Sequence, residues 1–511
     1  MGTSRWTKAV LEDATDNPNV DPSADELAAH VMGQAEGIHR YNQLLAVADL
    51  LLASPALVLT EQSAVRQYLR NVSPEMLAYY EPAPAPDWVD EAKLRAGSQL
   101  WHDNALASIG VLYALSLPAA YLYKTGVPAL YETGKLARHE YIFQRIYETG
   151  LFVDAVMDEG GIEVLEDYVP GGPSTARRFL WGRGYLAAKK VRALHASIRY
   201  LLQHPPQTDA KRAHAGEPTS LTEHFSATGW PAWDAKKNGA PINQEQLALV
   251  LLTFGYLIPR GLERWGSRIS LERKEAFLHL WRVVGHILGI RDDLMTDNWD
   301  EAAELTATIL ARQAVPSDYG QHLTVALMDF MRSYLPHLPG GLRQRLAAHL
   351  IVDQLQQLDP AYPAMILPPE DLRAVRRPLP RLLYGGLRTW IRVYYRMRDR
   401  IVKTIPFFGD VLLSALHRSS EELIASWRDQ FQRRPFDLSG SLEWKRKPGF
   451  SAKSAEPLER WRRRVFNNVA IAVLALFVSV ALILMFLVSA LVPESLLSNK
   501  IGLLKIGRAH V

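Results

Sequence analysis

Hydrophobic positions along most of the chain recur at helical spacing rather than in the alternation that is typical of strands. Apolar residues at intervals of three and four predict helices over most of residues 90–202 and 243–366, and helical periodicity also appears between residues 25 and 80. Turns that contain proline or glycine separate these helices. Because strand-like alternation never extends beyond a few residues, the pattern predicts an all-α protein with one large helical domain.

Two segments ahead of this domain lack helical periodicity. Residues 1–24 are mostly polar and predict a mobile lead-in. Glu81–Trp88 reads EPAPAPDW, and its repeated prolines predict a stiff, extended connector. We therefore predict an N-terminal helical lead-in with a linker over residues 1–88 and the main domain over residues 89–400.

One segment near the C-terminal end is apolar throughout. Val469–Val492 contains no charged residue, and at about 1.5 Å per residue a helix of this length crosses a hydrocarbon core of roughly 30 Å. We predict a transmembrane helix within residues 465–493 and a short tail over residues 494–511. The last six residues, Ile506–Val511, resemble the translation of a sequencing adapter, and we treat them as a suspected non-native end.

Charge is distributed unevenly, although the net charge is only +4. Between Arg373 and Arg464 the chain has 22 Lys and Arg against nine Asp and Glu, so the remainder is acidic. We predict a basic membrane-proximal region over residues 401–464 that faces anionic lipid, with a single C-terminal anchor and the body on the cytoplasmic side. Because the positive charge is not spread over a folded domain, we expect no nucleic-acid partner.

The chain contains no cysteine, and this limits its chemistry. Disulfides, cysteine-ligated zinc, iron–sulfur clusters, thiolate-ligated haem and a cysteine nucleophile are all excluded. Catalysis would therefore depend on other polar side chains or on a bound cofactor.

A first candidate site lies on the predicted helix Tyr141–Met157. Arg145, Glu148 and Thr149 are spaced i, i+3 and i+4, so they share one stripe beside an apolar face. Charged groups on an apolar helix are costly to bury unless they are paired or used in function. The spacing alone leaves open whether Arg145 and Glu148 form an ordinary ion pair on the helix surface or take part in function.

A second candidate is His195, within Ala187–Leu202. It shares an apolar face with Val191, Leu194, Ile198 and Leu202, and we expect the imidazole to point toward the core with Arg192 and Arg199 at the rim. Such a histidine is either a structural residue bonded to a carbonyl or a ligand. In a chain without cysteine, imidazole is the natural ligand for a haem iron, and nearby Arg side chains could pair with the haem propionates.

A third candidate is the acidic cluster Asp292, Asp293 and Asp297. This spacing is similar to the Mg²⁺-binding aspartate motif of all-α isoprenoid synthases, but the chain lacks the second metal motif that such enzymes need. The competing interpretation is a helix-to-loop corner with solvated carboxylates. An Mg²⁺-dependent isoprenoid synthase is therefore kept as an alternative.

Four segments in order resemble one known family. They read RIYETGLFVDAVM, KVRALHASIRYLL, WDAKKNGAPINQEQLALVLLTFGYL and GHILGIRDDLM. Together they resemble the catalytic domain of the ER-bound MpaB-type oxygenases and rubber oxygenases, the latex-clearing proteins. The resemblance covers Leu106–Asn298 and extends more weakly to about residue 400.

The resemblance implies a globin-like helical core that holds one haem b, with His195 as the proximal iron ligand. It places Arg145 and Thr149 on the distal side, where O₂ would bind. The rubber-cleaving branch has a lysine before that threonine, whereas this chain has Glu148, which could act as a base toward an allylic proton. The implied reaction is oxidative cleavage of a carbon–carbon double bond in a hydrophobic substrate of the isoprenoid class. The non-enzymatic alternative is a membrane-tethered haem-binding scaffold.

Overall fold

The computed structural model describes residues 5–34, 37–52, 67, 70–71, 74–130, 139–167, 176–204, 233–334, 342–404, 418 and 422–424. All of them belong to the first of two compact units, Met1–Ser454. The predicted transmembrane segment and the suspected non-native end fall in the second unit, Ala455–Val511, and lie outside the described residues. Within the described ranges, no helix is both long enough and apolar enough to cross a bilayer.

The N-terminal part of the fold is a series of mostly short helices. They are α1 (Lys8–Asp16), α2 (Pro22–Met32), α3 (Gly37–Leu52), α4 (Pro74–Tyr80), α5 (Glu91–Asp103), α6 (Ala105–Val111) and α7 (Leu117–Ala120), with a π-helical turn at Leu112–Ser116 between α6 and α7.

Two helices joined by a β-hairpin follow. This unit consists of α8 (His139–Met157), strands β1 (Val164–Asp167) and β2 (Ala176–Phe179), and α9 (Arg183–Gln203). The strands are antiparallel, with Val164 opposite Phe179. Strands of four residues are too short for the alternation that identifies a strand in sequence, so this hairpin was not predicted.

The C-terminal part of the described chain is again helical. Its elements are α10 (Ala235–Asn238), α11 (Gln244–Gly255), α12 (Leu257–Trp265), α13 (Leu271–Ile287), a 3₁₀ turn (Asp292–Leu294), α14 (Trp299–Gln313), α15 (Asp318–Tyr334), α16 (Leu342–Leu355), α17 (Tyr362–Ile366), α18 (Pro369–Arg376) and α19 (Pro378–Thr404). The prediction of a mainly helical protein is therefore confirmed for the described residues, apart from the hairpin.

The proline-rich connector is extended, as its sequence predicts. Ala85 N donates to Arg177 O at 2.9 Å, and Phe179 N donates to Ala83 O at 3.0 Å, so the connector runs along β2. Its prolines tolerate this position because only every second residue bonds to the strand.

Helix α9 lies at the centre of the fold and packs against α2, α3, α8 and α13. Helix α13 in turn packs closely on α5 and α11. A Cβ atom on Gly97 of α5 would lie 2.7 Å from the carbonyl oxygen of Ala276 in α13, so these two helices approach at backbone distance. This arrangement holds α9 on several sides.

The N-terminal segment is packed against the body rather than mobile. Trp6, Leu11 and Ala14 are buried, and the Trp6 indole nitrogen donates to the carbonyl oxygen of Asp293 at 3.0 Å. The interpretation of residues 1–24 as a mobile lead-in is therefore wrong for the described residues from Arg5 onward. The buried apolar residues of this segment are few and are separated by polar residues, so the sequence pattern did not reveal that the segment packs.

Candidate functional site

His195 lies on α9 at the edge of a buried apolar face. Val191, Ile198 and Leu202 are buried as predicted, but His195 and Leu194 are only half-buried. The residue is therefore partly accessible, although the Nδ1 atom of its ring is buried. It lies at the boundary between the buried apolar face of α9 and the surface.

Helix α8 carries the other predicted site residues. Glu148 and Thr149 are half-buried, while their neighbours Ile146, Tyr147 and Phe152 are buried. The backbone of Arg145 lies in the same helix, and its side chain is not among those described. The predicted stripe is thus helical, and two of its polar members lie at the boundary between core and surface.

The two helices meet at a glycine. A Cβ atom on Gly184 of α9 would lie 2.9 Å from Val156 Cα and 3.0 Å from Ala155 O of α8, so only glycine permits this approach. Arg183 reinforces the contact through an ion pair with Asp154 at 3.4 Å. From this contact, His195 lies eleven residues further along α9, and Gln144 lies eleven residues back along α8. At about 1.5 Å per residue, each is about 16 Å from the contact, measured along its own helix.

Arg192 and Arg199 of α9 are bonded to carboxylates of α2. Arg192 forms a bidentate pair with Asp21, with Nε–Oδ2 and Nη2–Oδ1 distances of 2.6 and 2.7 Å. Arg199 Nε donates to Asp25 Oδ1 at 2.7 Å. Arg199 is only 2% exposed, so the prediction that it lies at the rim is wrong.

The charge states of this cluster follow from its burial. Burial would lower the pKa of Arg192, but the hydrogen bonds and negative charge of Asp21 outweigh it, and the net pKa is raised. Burial raises the pKa of Asp25, and the charge and hydrogen bond of Arg199 oppose that rise. A buried guanidinium is stable only with such a partner, so α2 is needed for the folded position of α9.

Two of the quoted sequence motifs meet beside this cluster. Gly289 has φ +81°, and a Cβ atom there would lie 2.7 Å from Asp21 Oδ2 and 2.8 Å from Arg192 Nε. Gln244 donates to the carbonyl oxygens of Val20 at 2.6 Å and Gly289 at 2.9 Å. The glycine and the glutamine of these motifs therefore have structural roles next to the ion pair of α2 and α9.

Glu245 is a fully buried carboxylate that the sequence analysis did not single out. It accepts hydrogen bonds from Thr15 Oγ1 at 2.6 Å, Tyr123 Oη at 2.9 Å, Gln313 Nε2 at 2.8 Å and Arg312 Nη2 at 2.7 Å. Burial and the Glu245 charge raise the pKa of Tyr123 well above its usual value, so the phenol stays a donor. A glutamate in the otherwise apolar run that follows INQ was the one sequence signal for this buried position.

The acidic cluster of the third candidate is engaged by arginines. Asp293 accepts from Arg291 at 2.6 and 3.0 Å, and Asp297 pairs with Arg282 at 2.5 Å. Among the described residues, no group of three or more His, Cys, Asp or Glu side chains could hold a metal ion. Because arginines already neutralise two of the three carboxylates, those of Asp293 and Asp297, the Mg²⁺-dependent isoprenoid synthase is not favoured.

An aromatic cluster lies on the α15 side of α8. Tyr147 and Tyr113 both pack edge-on against Phe330 of α15, with ring centroids 4.9 and 5.0 Å apart, and all three rings are buried. Tyr113 belongs to the π-helical turn, an irregularity that is frequent at functional sites. Glu148 therefore directly follows Tyr147, a member of this buried aromatic cluster.

The chain matches one protein family along most of this helical body. A family model described as "ER-bound oxygenase mpaB/B'/Rubber oxygenase, catalytic domain" matches residues 98–409. The rubber oxygenase of Streptomyces sp. (strain K30) is 25% identical over 253 residues, which are 48% of this chain and 50% of that protein. The match thus spans half the length of this curated relative.

A solved structure of a latex clearing protein in the closed state is also similar. It covers 90% of this chain and 96% of its own, with 18% sequence identity and a TM-score of 0.47. The family match alone covers more than half of the chain, and it confirms the resemblance stated from the four sequence segments. The chain therefore belongs to the family of MpaB-type oxygenases and rubber oxygenases, whose catalytic domain its residues 98–409 match.

Proposed function

We propose that this protein is a haem b-dependent oxygenase, an oxidoreductase that cleaves a carbon–carbon double bond of a hydrophobic substrate of the isoprenoid class. Family membership supports the oxygenase class. The observation that carries the haem assignment is the half-buried imidazole of His195, beside a buried apolar face on a central helix. The non-catalytic scaffold has no comparable support, since the matched family is one of oxygenases.

The described residues fit a haem in one respect and not in another. One imidazole at the edge of an apolar surface suits a haem, whose iron this side chain would hold. Arg192 and Arg199 do not fit as partners of propionates, because Asp21 and Asp25 already bond to their guanidinium groups. We therefore keep His195 as the proposed ligand and assign the two arginines to holding α2.

The polar residues of α8 would act on the substrate and on O₂. When bound, haem b supplies the iron chemistry that activates O₂. The Glu148 carboxylate would accept a proton from an allylic carbon, and the Thr149 hydroxyl and Arg145 would donate hydrogen bonds to oxygen. Half-burial of Glu148 and Thr149 supports these roles, since it limits the access of water to both groups.

The apolar surroundings of α8 support the proposed substrate class. The buried Tyr113, Tyr147 and Phe330 offer an aromatic wall of the kind that lines sites for hydrophobic ligands. The predicted anchor at Val469–Val492 stays a prediction, and it would keep the protein at a membrane, into which such a substrate partitions.

The test is haem retention by His195→Ala in the full chain, compared with His204→Ala as a matched control. His204 lies at the end of the same helix, is exposed, and stacks on Tyr200 at 4.5 Å. We expect the His195 variant to lose at least about tenfold in haem content while the His204 variant keeps its haem.

Haem content per chain, the Soret absorption and the thermal unfolding temperature are measured together. Equal haem content in both variants would refute His195 as the ligand. A purified wild-type protein without haem would refute the haem assignment as a whole. Equal unfolding temperatures of the two variants, both measured without haem, show that loss of haem does not reflect loss of the fold.

A further inference from the structure

Helix α19 presents a row of apolar side chains to solvent. Of the five large hydrophobic side chains that the described part of the chain exposes, four lie on this helix: Leu382 at 72%, Trp390 at 42%, Val393 at 44% and Met397 at 37%. At 100° per residue, all four fall within an arc of about 80°. We call these four residues the outer stripe of α19.

The opposite side of α19 is fixed to the body. The helix packs against α12, α16 and α18, and Tyr395 is buried. Arg388 pairs with Asp353 at 3.0 Å, and Arg398 donates to Asn104 Oδ1 at 2.7 Å. These contacts fix the rotation of α19 about its axis, so the outer stripe always faces away from the body.

Exposed arginines accompany the stripe. Arg400 lies about 40° and Arg396 about 80° from the centre of the stripe, and both side chains are exposed. The basic excess continues along the sequence to Arg464, immediately ahead of the predicted transmembrane segment. A helix with an apolar stripe, bordering arginines and low mean hydropathy has the composition of helices that lie in the lipid–water interface.

We propose that the outer stripe of α19 lies in the headgroup region of an anionic lipid bilayer. Leu382, Val393 and Met397 would enter the boundary of the acyl chains, with the amphipathic indole of Trp390 at the interface. Arg396 and Arg400 would contact lipid phosphates. A second copy of this chain fits the same face less well, because face-to-face pairing would bring the arginines of both copies together.

The absence of cysteine allows a site-specific test in the full chain. An environment-sensitive dye is attached to Val393→Cys, and to Leu271→Cys as a control at an exposed apolar position, 55% exposed, outside α19. The labelled proteins are mixed with phosphatidylcholine vesicles containing about one third phosphatidylserine and a nitroxide on the acyl chains.

We expect the nitroxide to quench the dye at position 393 by about twofold or more and the dye at position 271 by less than about a tenth of its intensity. The double substitution Arg396→Glu and Arg400→Glu should reduce quenching at position 393 to the control level. Haem content is unaffected in either case, because both label sites lie outside α8 and α9. Failure here is therefore distinguishable from failure of the proposed function.

Equal quenching at both positions, or none at position 393, would overturn the proposal. The same holds if the dye at position 393 becomes shielded from water at high protein concentration without vesicles, since that result assigns the stripe to a second copy. A dye that is quenched equally by neutral and anionic vesicles would overturn the role of the arginines.

Discussion

At the scale of single residues, Glu245 shows how a buried charge can organise distant parts of the chain. Its carboxylate joins α11 to α1 through Thr15, to α14 through Arg312, and to the residue Tyr123 beyond α7. Every one of these groups is a donor, so the negative charge is compensated by hydrogen bonds and by one guanidinium. Removing it would leave Arg312 without its ion-pair partner.

We predict that Glu245→Ala lowers the free energy of unfolding by about 3 kcal/mol. This is the lower end of the cost of removing one partner of a buried pair, because Arg312 keeps partial access to water. Urea denaturation measures the change, and Glu304→Ala on α14, which is exposed, is the control and should change stability by at most about 0.5 kcal/mol. Equal effects of the two substitutions would contradict this account of Glu245.

A second residue-scale prediction concerns acid pH. Burial lowers the pKa of His279 to about 4, and the neutral ring accepts a hydrogen bond from Asp90 N at 2.9 Å. Between the ordinary pKa of 6.5 and about pH 4, His279 is protonated in the unfolded chain but neutral in the folded chain. Stability therefore falls as the pH drops through this window, by up to about 1.4 kcal/mol per pH unit for this one group.

The variant His279→Gln should flatten that slope, because glutamine keeps an acceptor for Asp90 N but does not titrate. His30→Gln on α2 is the control, since it is the same substitution at an exposed histidine. Urea midpoints measured from pH 4.5 to pH 7 test the pair. A slope equal to that of the wild type would exclude His279 as its source.

At the scale of elements, the close contact between α8 and α9 requires a glycine, Gly184, which has no side chain. Gly184 Cα approaches backbone atoms of α8, and backbone cannot move aside as a flexible side chain does. The proposed iron ligand and the proposed oxygen-side residues lie on these two helices. The packing at Gly184 therefore contributes to the separation of these residues, although it lies some distance from them along both helices.

We predict that Gly184→Ala destabilises the fold by about 1–3 kcal/mol, because the methyl group forces the helices apart. Gly386→Ala on α19 is a matched control: its Cβ atom would meet nothing within 4 Å, so the helix preference of alanine should stabilise the protein by about 0.5–1 kcal/mol. Thermal unfolding midpoints should move in opposite directions. Shifts of the same sign would show that the Gly184 contact does not limit the packing of α8 on α9.

Elements were predictable from the sequence where their signal is local. Helical spacing within α8, α9, α11 and α13 is decided by residues three and four positions apart, and the family resemblance indicated His195 as a candidate ligand. The partners of Arg192 and Arg199 could not be predicted, because they lie 171 and 174 residues away. The half-burial of His195 also depends on elements that are distant in the sequence, so the local pattern could not predict it.

At the scale of the whole molecule, the N-terminal helices complete the domain that the family match covers. The match begins at residue 98, yet α1, α2 and α3 pack against α11 and α9, both within the matched part. Asp21 and Asp25 compensate two arginines that would otherwise be buried charges. The folded unit therefore includes residues that the match does not.

We predict that a chain reduced to residues 98–409 unfolds at a temperature more than about 10 °C lower than a chain spanning residues 5–409, or fails to fold. The reason is the exposure of α9 and the loss of both carboxylate partners. Calorimetry and the binding of a hydrophobic dye measure this, with a chain lacking only residues 1–4 as the control. Equal unfolding temperatures for all three chains would show that the N-terminal helices are dispensable.

The two ion pairs between α2 and α9 have a further geometric consequence. Arg192 and Arg199 lie on either side of His195 along α9, and both bond to the same neighbouring helix. A slide of α9 by one helical turn, about 5.4 Å, would break both pairs at once. The axial position of the imidazole is thus fixed from outside residues 98–409, by a segment that the family match does not cover.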